Sequence, residues 1–544
     1  MEEKQTNAGR ALLEPLLRGC RKAGILLSVL AVLRAIQLVL LALVTSRVID
    51  CAQAGLQEFL PVAIGSLVLA LSIPLLQGLT NGYAGHATDR AVSVLRQTVL
   101  EMLQRKDCES VNTFHSGHLY SRLTGDCATV CERYTGLLPA VVGQAVQLIA
   151  AFAALLTIRP ELSGLMLLFG IGGACAGVIL RKVLKGRYLA ASKAGDRLVA
   201  CLQENLEHME FNRSLEAEGE TARRFAESQT LWRVARASLR KVAVSGSAVF
   251  SGAVQVGAAI VVIWGALAIR AGQLTAGELV AVLQLVNLFR SPVSGLTGLQ
   301  SQFAAVDAAE ERLIELWQLP EQRTAEQPPA GAKCRALLFD RVTFCYAGED
   351  RPVFQAFSAR VPLDRWTCLA GSSGRGKSTL FRLVLGLYQP QEGSVLLETD
   401  QGTYPCSEAT RRFFGFVPQS PVLYAGTIRD NLLLAAPAAS ERELWRVLEA
   451  ANCSFVRDLP DGIDTVLGED GLGLSVGQRQ RITIARALLA GKPVLLLDEV
   501  TSALDGEAER AVLTSLMDSR HAALIATHRP DVLCETNCEY LDLF

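Results

Sequence analysis

The sequence predicts a chain of two structural classes, an α-helical polytopic membrane domain followed by an α/β domain. Three observations carry this. Half of the 544 residues are hydrophobic and the mean hydropathy is +0.28, high for a purely soluble protein. Apolar residues gather into long stretches before about residue 300, where a lipid-spanning helix needs about 20 of them. After the Pro- and Ala-rich segment QLPEQRTAEQPPAGAKC, short β-like runs alternate with helical stretches, as in an α/β domain.

The spans come first in the chain. Six stretches fit: Ile25–Val44, Phe59–Leu79, Leu137–Ile158, Leu162–Leu180, Val242–Ile269 and Glu278–Leu299. Each must satisfy its backbone polar groups within itself, which makes it a helix. Arg34 and Gln37 interrupt the first, and Asn287, Arg290 and Pro292 the last. An ionisable residue within a span either lines a polar cavity or snorkels from a helix end, and both readings stay open for Arg34 and Arg290. The polar connections 80–136 and 181–241 are too long and too regular for loops, so the helices are expected to continue beyond the membrane.

Charge sets orientation locally. Arg18, Arg21 and Lys22 precede the first span, and Arg181, Lys182, Lys185 and Arg187 follow the fourth. Basic flanks stay inside, so both termini and the α/β domain are expected in the cytoplasm. The start of the chain shows no cleavable signal, and ALLEPLLRGCRKAG reads as an amphipathic lead-in helix at the inner membrane surface, giving a first segment 1–22. A net charge of −1 gives no bulk attraction to nucleic acid, and none is expected as a partner. The 14 cysteines are scattered and read as small buried residues in a reducing compartment. NRS at Asn212–Ser214 matches a glycosylation acceptor but falls on the cytoplasmic side, where it is accidental.

The second domain carries chemistry. WTCLAGSSGRGKSTL reads as a strand, a glycine loop and a helix start. Gly371, Gly374 and Gly376 let backbone N–H groups turn around phosphate, with Ser372 in the same loop, while Lys377 neutralises β- and γ-oxygens and Ser378 holds Mg²⁺. Farther on, PVLLLDEVTSALD is a buried strand ending in Asp498, placed for Mg²⁺, and Glu499, able to polarise an attacking water. Three single residues join by their order: Gln419 toward Mg²⁺ and the water, His528 toward the γ-phosphate, and Tyr346 as an aromatic able to stack on adenine.

In that order these motifs resemble the ATP-binding cassette superfamily, specifically a half-transporter of the exporter type. The resemblance covers nearly the whole chain. It implies six transmembrane helices, type I exporter-like, over 23–318, a linker over 319–335 and an α/β P-loop ATPase domain over 336–544. It assigns the phosphate loop to Gly371–Thr379, the glutamine loop to Gln419, the signature to Leu474–Gln478 with Ser475, Gly477 and Gln478, the D-loop to Ser502–Asp505 and the switch histidine to His528. Coupling helices are expected near NTFHSGHLYSRLTGD and LEHMEFNRSLEAEGE, and TVLGEDG resembles an exporter loop that touches the membrane domain. In this family the signature closes over the nucleotide of the opposing domain, which implies a second half-transporter, homologous or identical. ATP and Mg²⁺ are the implied cofactors, and a bacterial plasma membrane the implied location. The solute is not named by the sequence. An importer built on the exporter fold, or an ATP-gated regulatory or channel-like subunit, stays as an alternative to an exporter.

Two departures from the family pattern stand out. Val476 occupies a place where the family has glycine, and the chain ends at Phe544, where the family adds a further hairpin and helix.

Overall fold

The computed structural model describes residues 17–55, 57–114, 116–322, 325–349, 351–370, 375–468, 471, 473–501, 506–518, 521–527 and 538–542; within its helices, side chains 162–185 and 290–301 and a few single ones are outside the description. The chain forms two compact units, residues 1–102 with 116–318, and residues 103–115 with 319–544.

The first unit is helical. Its long helices are α1 (Arg18–Ala54), α2 (Phe59–Gln104), α6 (Leu138–Ile158), α7 (Pro160–Glu207), α9 (Glu218–Arg270) and α10 (Ala276–Gln318). Five of the expected spans fall within one of them, the third starts one residue before α6, and most of the helices run well beyond the span, as the long polar connections predict. Among the described residues, three helical stretches are long and apolar enough to cross a membrane: Arg18–Ala54, Phe59–Gln104 and Gly117–Ile158. The fourth span lies where side chains are not described. α1 stops at Gly55, whose φ of 65° is easy only for glycine and lets its N–H reach the Cys51 carbonyl. Residues 18–22, expected in a separate surface helix, are instead the first turn of α1, because Leu17, Cys20, Ala23 and Leu27 bury one stripe of it.

Two kinds of packing hold this unit. Near the expected bilayer level, Val39 and Ala42 meet Ala151, Ala154 and Leu155 of α6 and Val282, Leu285 and Val286 of α10. Small side chains permit close helix approach where lipid gives little hydrophobic drive. On the outer face of α2, Leu60, Leu67, Leu71, Leu75 and Leu79 are each about two-thirds exposed, a stripe suited to acyl chains. Beyond the apolar zone, ion pairs take over. α10 is tied to the segment 117–137 by Arg122–Glu315 at 2.6 Å, Arg312–Asp126 at 2.6 Å and Arg133–Glu310 at 2.9 Å.

The second unit has two principal sheets. β1 (Cys334–Phe344), β2 (Phe354–Pro362), β4 (Glu392–Thr399) and β5 (Gly402–Pro405) form an antiparallel sheet in the order β2-β1-β4-β5. A parallel sheet has the order β11-β3-β10-β9-β6, from β3 (Trp366–Ala370), β6 (Phe414–Val417), β9 (Val494–Asp498), β10 (Ala522–Ala526) and β11 (Glu539–Asp542). β9 is buried along its whole length. Its Leu495 and Leu497 enter one core with Ile482, Ile484 and Ala485 of helix α14 (Val476–Leu489), while Val494 and Leu496 enter the other with Leu380, Phe381 and Leu383 of α11 (Lys377–Val384). A strand covered on both faces reads as one apolar run, which is why LLLD stands out in the sequence.

The segment 103–115 belongs to this unit. The Lys106 ammonium donates to the Leu319 carbonyl at 2.7 Å, the Asp107 N–H to Pro320 and the Gln322 N–H to Arg105. Its short helix α3 (Cys108–Asn112) is capped by Asp107, which accepts from the Ser110 N–H. This helix ends where the first expected coupling segment begins, and another short helix, Ser116–Ser121, falls within that segment. A second short helix, α8 (Met209–Ser214), falls within the other expected segment.

Candidate nucleotide site

β3 and α11 frame the phosphate loop. Gly371, Ser372 and Gly374 lie outside the described residues, as do Asp505 and His528. Gly376 caps α11 with φ 87°, and a Cβ there would sit 2.6 Å from the Val353 side chain and 2.9 Å from the Phe354 ring. Only glycine fits that turn, and it delivers Lys377, Ser378 and Thr379 in the first helical turn, a position that favours an anion.

Across from this turn, β9 ends at Asp498 and Glu499. The Lys377 ammonium is 3.4 Å from Glu499 Oε1, with side-chain exposures of 4% and 12%. The Gln419 amide donates to Glu499 Oε2 at 2.7 Å. Gln419 itself is exposed on the loop after β6. Glu499 has φ 48°, a left-handed backbone that a non-glycine residue adopts at a cost of about 1–3 kcal/mol. Its N–H is anchored on the Ala526 carbonyl at 3.0 Å. The strain turns the carboxylate out of the strand's alternation and into the space between Lys377 and Gln419.

Asp498 is buried, and one of its carboxylate oxygens, Oδ1, has no hydrogen-bond partner among the described residues. Burial pushes its pKa above the ordinary carboxylate range, and the hydrogen bond with the Ser378 side chain pulls the other way. A buried carboxylate with an open oxygen beside a serine hydroxyl is the hard-oxygen donor set that suits Mg²⁺.

Tyr346 follows β1. Its hydroxyl lies 2.8 Å from Thr379 Oγ1 and accepts from Arg382 at 2.8 Å, so it is joined to the phosphate-loop helix. Its ring meets Phe344 and Tyr388 edge-to-face, with centroids 5.0 and 5.6 Å away. Tyr388 in turn accepts a hydrogen bond from the Asn112 amide of α3 at 3.1 Å, and Glu109 of α3 accepts from the Ala347 N–H. The sequence reading missed Arg382, Tyr388 and Asn112, since nothing in their spacing distinguishes them from ordinary packed or surface residues.

The signature residues stand apart from this cluster. Ser475 caps α14 by accepting from the Gln478 N–H at 3.2 Å, and the Gln478 side chain accepts from the Ser475 N–H at 2.9 Å, a reciprocal cap. Ser475 is exposed, Gly477 and Gln478 are half-buried, and Val476 is 48% exposed as the first residue of the helix. Gln480, two residues on, is buried and donates to the Pro418 carbonyl at 3.3 Å. Arg486 donates to Val422 at 2.8 Å. Helix α14 therefore fixes the loop carrying Gln419, a role visible in GQRQR only once the fold is known. In TVLGEDG, Val466 and Leu467 pair with Gly426 and Thr427, and Glu469 and Asp470 lie outside the described residues.

Comparison with known proteins gives the family. The family model for the ABC transporter transmembrane region matches residues 23–293, and that for the ABC transporter matches 354–502. The chain is 30% identical to the ABC multidrug transporter mdr2 of Aspergillus fumigatus over 86% of this chain, and spans 61% of that protein. It is 31% identical to the ATP-dependent lipid A-core flippase of Shewanella oneidensis, covering 81% of this chain and 74% of that one. A bacterial Atm1-family ABC exporter solved with ATP bound shares the fold, with a TM-score of 0.81 at 23% identity, over 97% of this chain and 94% of that one. The chain belongs to the ABC transporter family, as an exporter-type half-transporter that joins one membrane region to one ATP-hydrolysing domain.

Proposed function

We propose that the chain is an ATP-driven exporter of an apolar or amphipathic solute, acting as a dimer of half-transporters in a bacterial plasma membrane with its nucleotide domains in the cytoplasm. One observation carries the chemistry: Glu499 is held between Lys377 and Gln419 at the end of a buried strand. Glu499 accepts a proton from the water that attacks the γ-phosphate, Gln419 orients that water, and Lys377 with the N–H groups of the loop 371–379 neutralises the phosphate oxygens. Mg²⁺, when bound, adds charge neutralisation on the β- and γ-phosphates, with Asp498, Ser378 and Gln419 as its holders. Tyr346 supports the adenine, and His528 and Asp505 complete the site on the resemblance to the family.

The second copy follows from the signature. Ser475, Gly477 and Gln478 present a capped helix N-terminus that makes no bond with Lys377, Glu499 or Gln419 among the described residues. Such a terminus serves an anion brought by another molecule. Because this chain carries both half-sites, two copies complete two sites.

Support for an amphipathic solute comes from the names of the relatives, a multidrug transporter and a lipid A-core flippase. It also comes from the first two spans, where Gln37 donates to Ser72 at 3.3 Å while Gln37 Oε1 and Arg34 Nε have no partner among the described residues. Asn287 is exposed, and the Arg290 side chain lies outside the description. The test is movement of fluorescent amphiphiles into inside-out vesicles. ATP-dependent accumulation that disappears in Glu499→Gln supports export, whereas ATP-driven loss from the lumen, or accumulation that persists in the variant, contradicts it.

A further inference from the structure

Helices α1 and α6 approach each other so closely that they leave a groove beside the contact. A Cβ on Gly24 would lie 2.5 Å from the Tyr134 carbonyl, and one on Gly143 would lie 2.9 Å from the Ala31 side chain. These two glycines bring the backbones together, and the side chains beyond them rise as walls. The groove encloses about 580 Å³. One wall is Ile25, Val29 and Leu33 of α1; the other is Leu138 and Val142 of α6, with Tyr134 at the end nearest Arg21. In its middle, Ser28, polar among apolar described neighbours, is already bonded to the Gly24 carbonyl at 2.7 Å.

Three features specify an occupant. From Arg21 to Leu33 the helix rises about 18 Å at 1.5 Å per residue, which matches one leaflet of a hydrocarbon core of about 30 Å. The walls are open to lipid, with Ile25 67% and Val29 51% exposed. At the N-terminal end of the same stripe stand three exposed cations, Arg18, Arg21 and Lys22, the three basic residues nearest the start of the span, with the Arg21 guanidinium 5.7 Å from the centre of the Tyr134 ring. A long apolar trough one leaflet deep, capped by positive charge, fits one acyl chain and an acidic headgroup.

We infer that the α1–α6 groove is a binding site for a phospholipid with a net negative headgroup, taken from the leaflet that faces the basic flank. The headgroup sits among Arg18, Arg21 and Lys22, and an acyl chain runs between Ile25, Val29 and Val142. The site is separate from the nucleotide chemistry and independent of the direction of transport. Lipid in it fastens the start of α1 to the segment that leads into α6.

The experiment uses the full chain in phosphatidylcholine nanodiscs doped with phosphatidylglycerol or phosphatidylcholine carrying a diazirine in the acyl chain. Adducts are mapped by peptide mass spectrometry, with the lipid-facing Leu67–Leu75 stretch of α2 as internal reference. Phosphatidylglycerol should label 25–33 and 138–142 severalfold more than phosphatidylcholine does, relative to α2. Lys22→Gln should reduce that preference by about fivefold, the effect of one basic residue at an anionic surface. Val29→Trp, which fills the trough, should lower labelling at 138–142 and leave α2 unchanged. Equal labelling by both probes would reduce the groove to ordinary lipid solvation and overturn the proposal. Labelling absent from both walls would mean that the groove is closed in the folded chain, and would overturn it as well.

Discussion

The two units of this chain are held together by different physics, and they disclose their function to different degrees. In the ATP-hydrolysing unit, the polar groups of the site are placed: Lys377 and Asp498 are buried, and Glu499 lies between Lys377 and Gln419 within a frame of closely packed strands. In the membrane unit, leucine, valine and isoleucine stand exposed along the described spans, and charged side chains join helices in ion pairs such as Arg312–Asp126. Chemistry demands fixed residue types at fixed spacing, whereas contact with lipid demands only an apolar character. The nucleotide unit is therefore narrow in its choice of residues, and the lipid-facing surface of the membrane unit is broad in it.

The largest expected effect breaks the first side of this comparison. Glu499→Gln keeps the hydrogen-bonding shape but not the base, and should slow ATP turnover by about 10² or more while ATP binding persists. The check is single-turnover hydrolysis of purified protein; a rate within about twofold of the parent would remove Glu499 from that role.

The next concerns the segment 103–115, which belongs to the nucleotide unit although the membrane unit flanks it in sequence. Tyr388→Phe removes only the hydroxyl that accepts from Asn112. Loss of one such bond should reduce solute-stimulated ATPase by about two- to tenfold, with the unstimulated rate nearly unchanged. Asn112→Ala should behave alike, and an equal fall in both rates would show damage to the nucleotide pocket instead.

A smaller effect follows from pH. The pKa of Asp498 is raised by burial, so its ionised form is disfavoured in the folded unit, and without a cation this site is less costly when protonated, below the raised pKa. A cation and a proton compete for the same oxygens. The Mg²⁺ concentration for half-maximal ATPase should therefore climb as pH falls from neutrality, and Asp498→Asn should weaken Mg²⁺ binding and flatten that dependence. A pH-independent Mg²⁺ requirement in the parent would assign the cation to other groups.

The smallest concerns Val476. Its side chain is half exposed at the first position of α14, so nothing in the single chain is crowded by it. Any cost arises only against a second copy. Val476→Gly should raise ATP affinity or basal turnover severalfold, the low end of the about 1–3 kcal/mol that an extra side chain in a packed site typically costs. A fall in both would mean that valine packs usefully at that surface.

Legibility in the sequence follows the same division. GSSGRGKST and LLLDE are readable because phosphate and buried strands impose narrow residue choices, and the structure brings Lys377, Ser378, Gln419, Asp498 and Glu499 together. The spans are readable because a bilayer fixes their length. The lead-in helix was less so: stripe burial by Cys20 and Ala23 merges residues 18–22 with α1, and burial depends on partners far along the chain. Tyr388, Arg382 and Gln480 were invisible for a similar reason, since each acts through a residue distant in sequence. The left-handed backbone of Glu499 leaves no mark in composition at all.

The central claim is that each reaction site is completed by another molecule's signature, and a mixing experiment tests it most directly. Lys377→Ala disables the phosphate loop of one chain, and Ser475→Arg disables the signature of another; each variant alone should be nearly inactive in lipid. When the two are co-expressed and reconstituted together, mixed pairs hold one site built from an intact loop and an intact signature. The account predicts ATPase activity well above the sum of the two variants. If the co-expressed pair forms and its rate merely equals that sum, the sites are not shared between chains and the account is wrong.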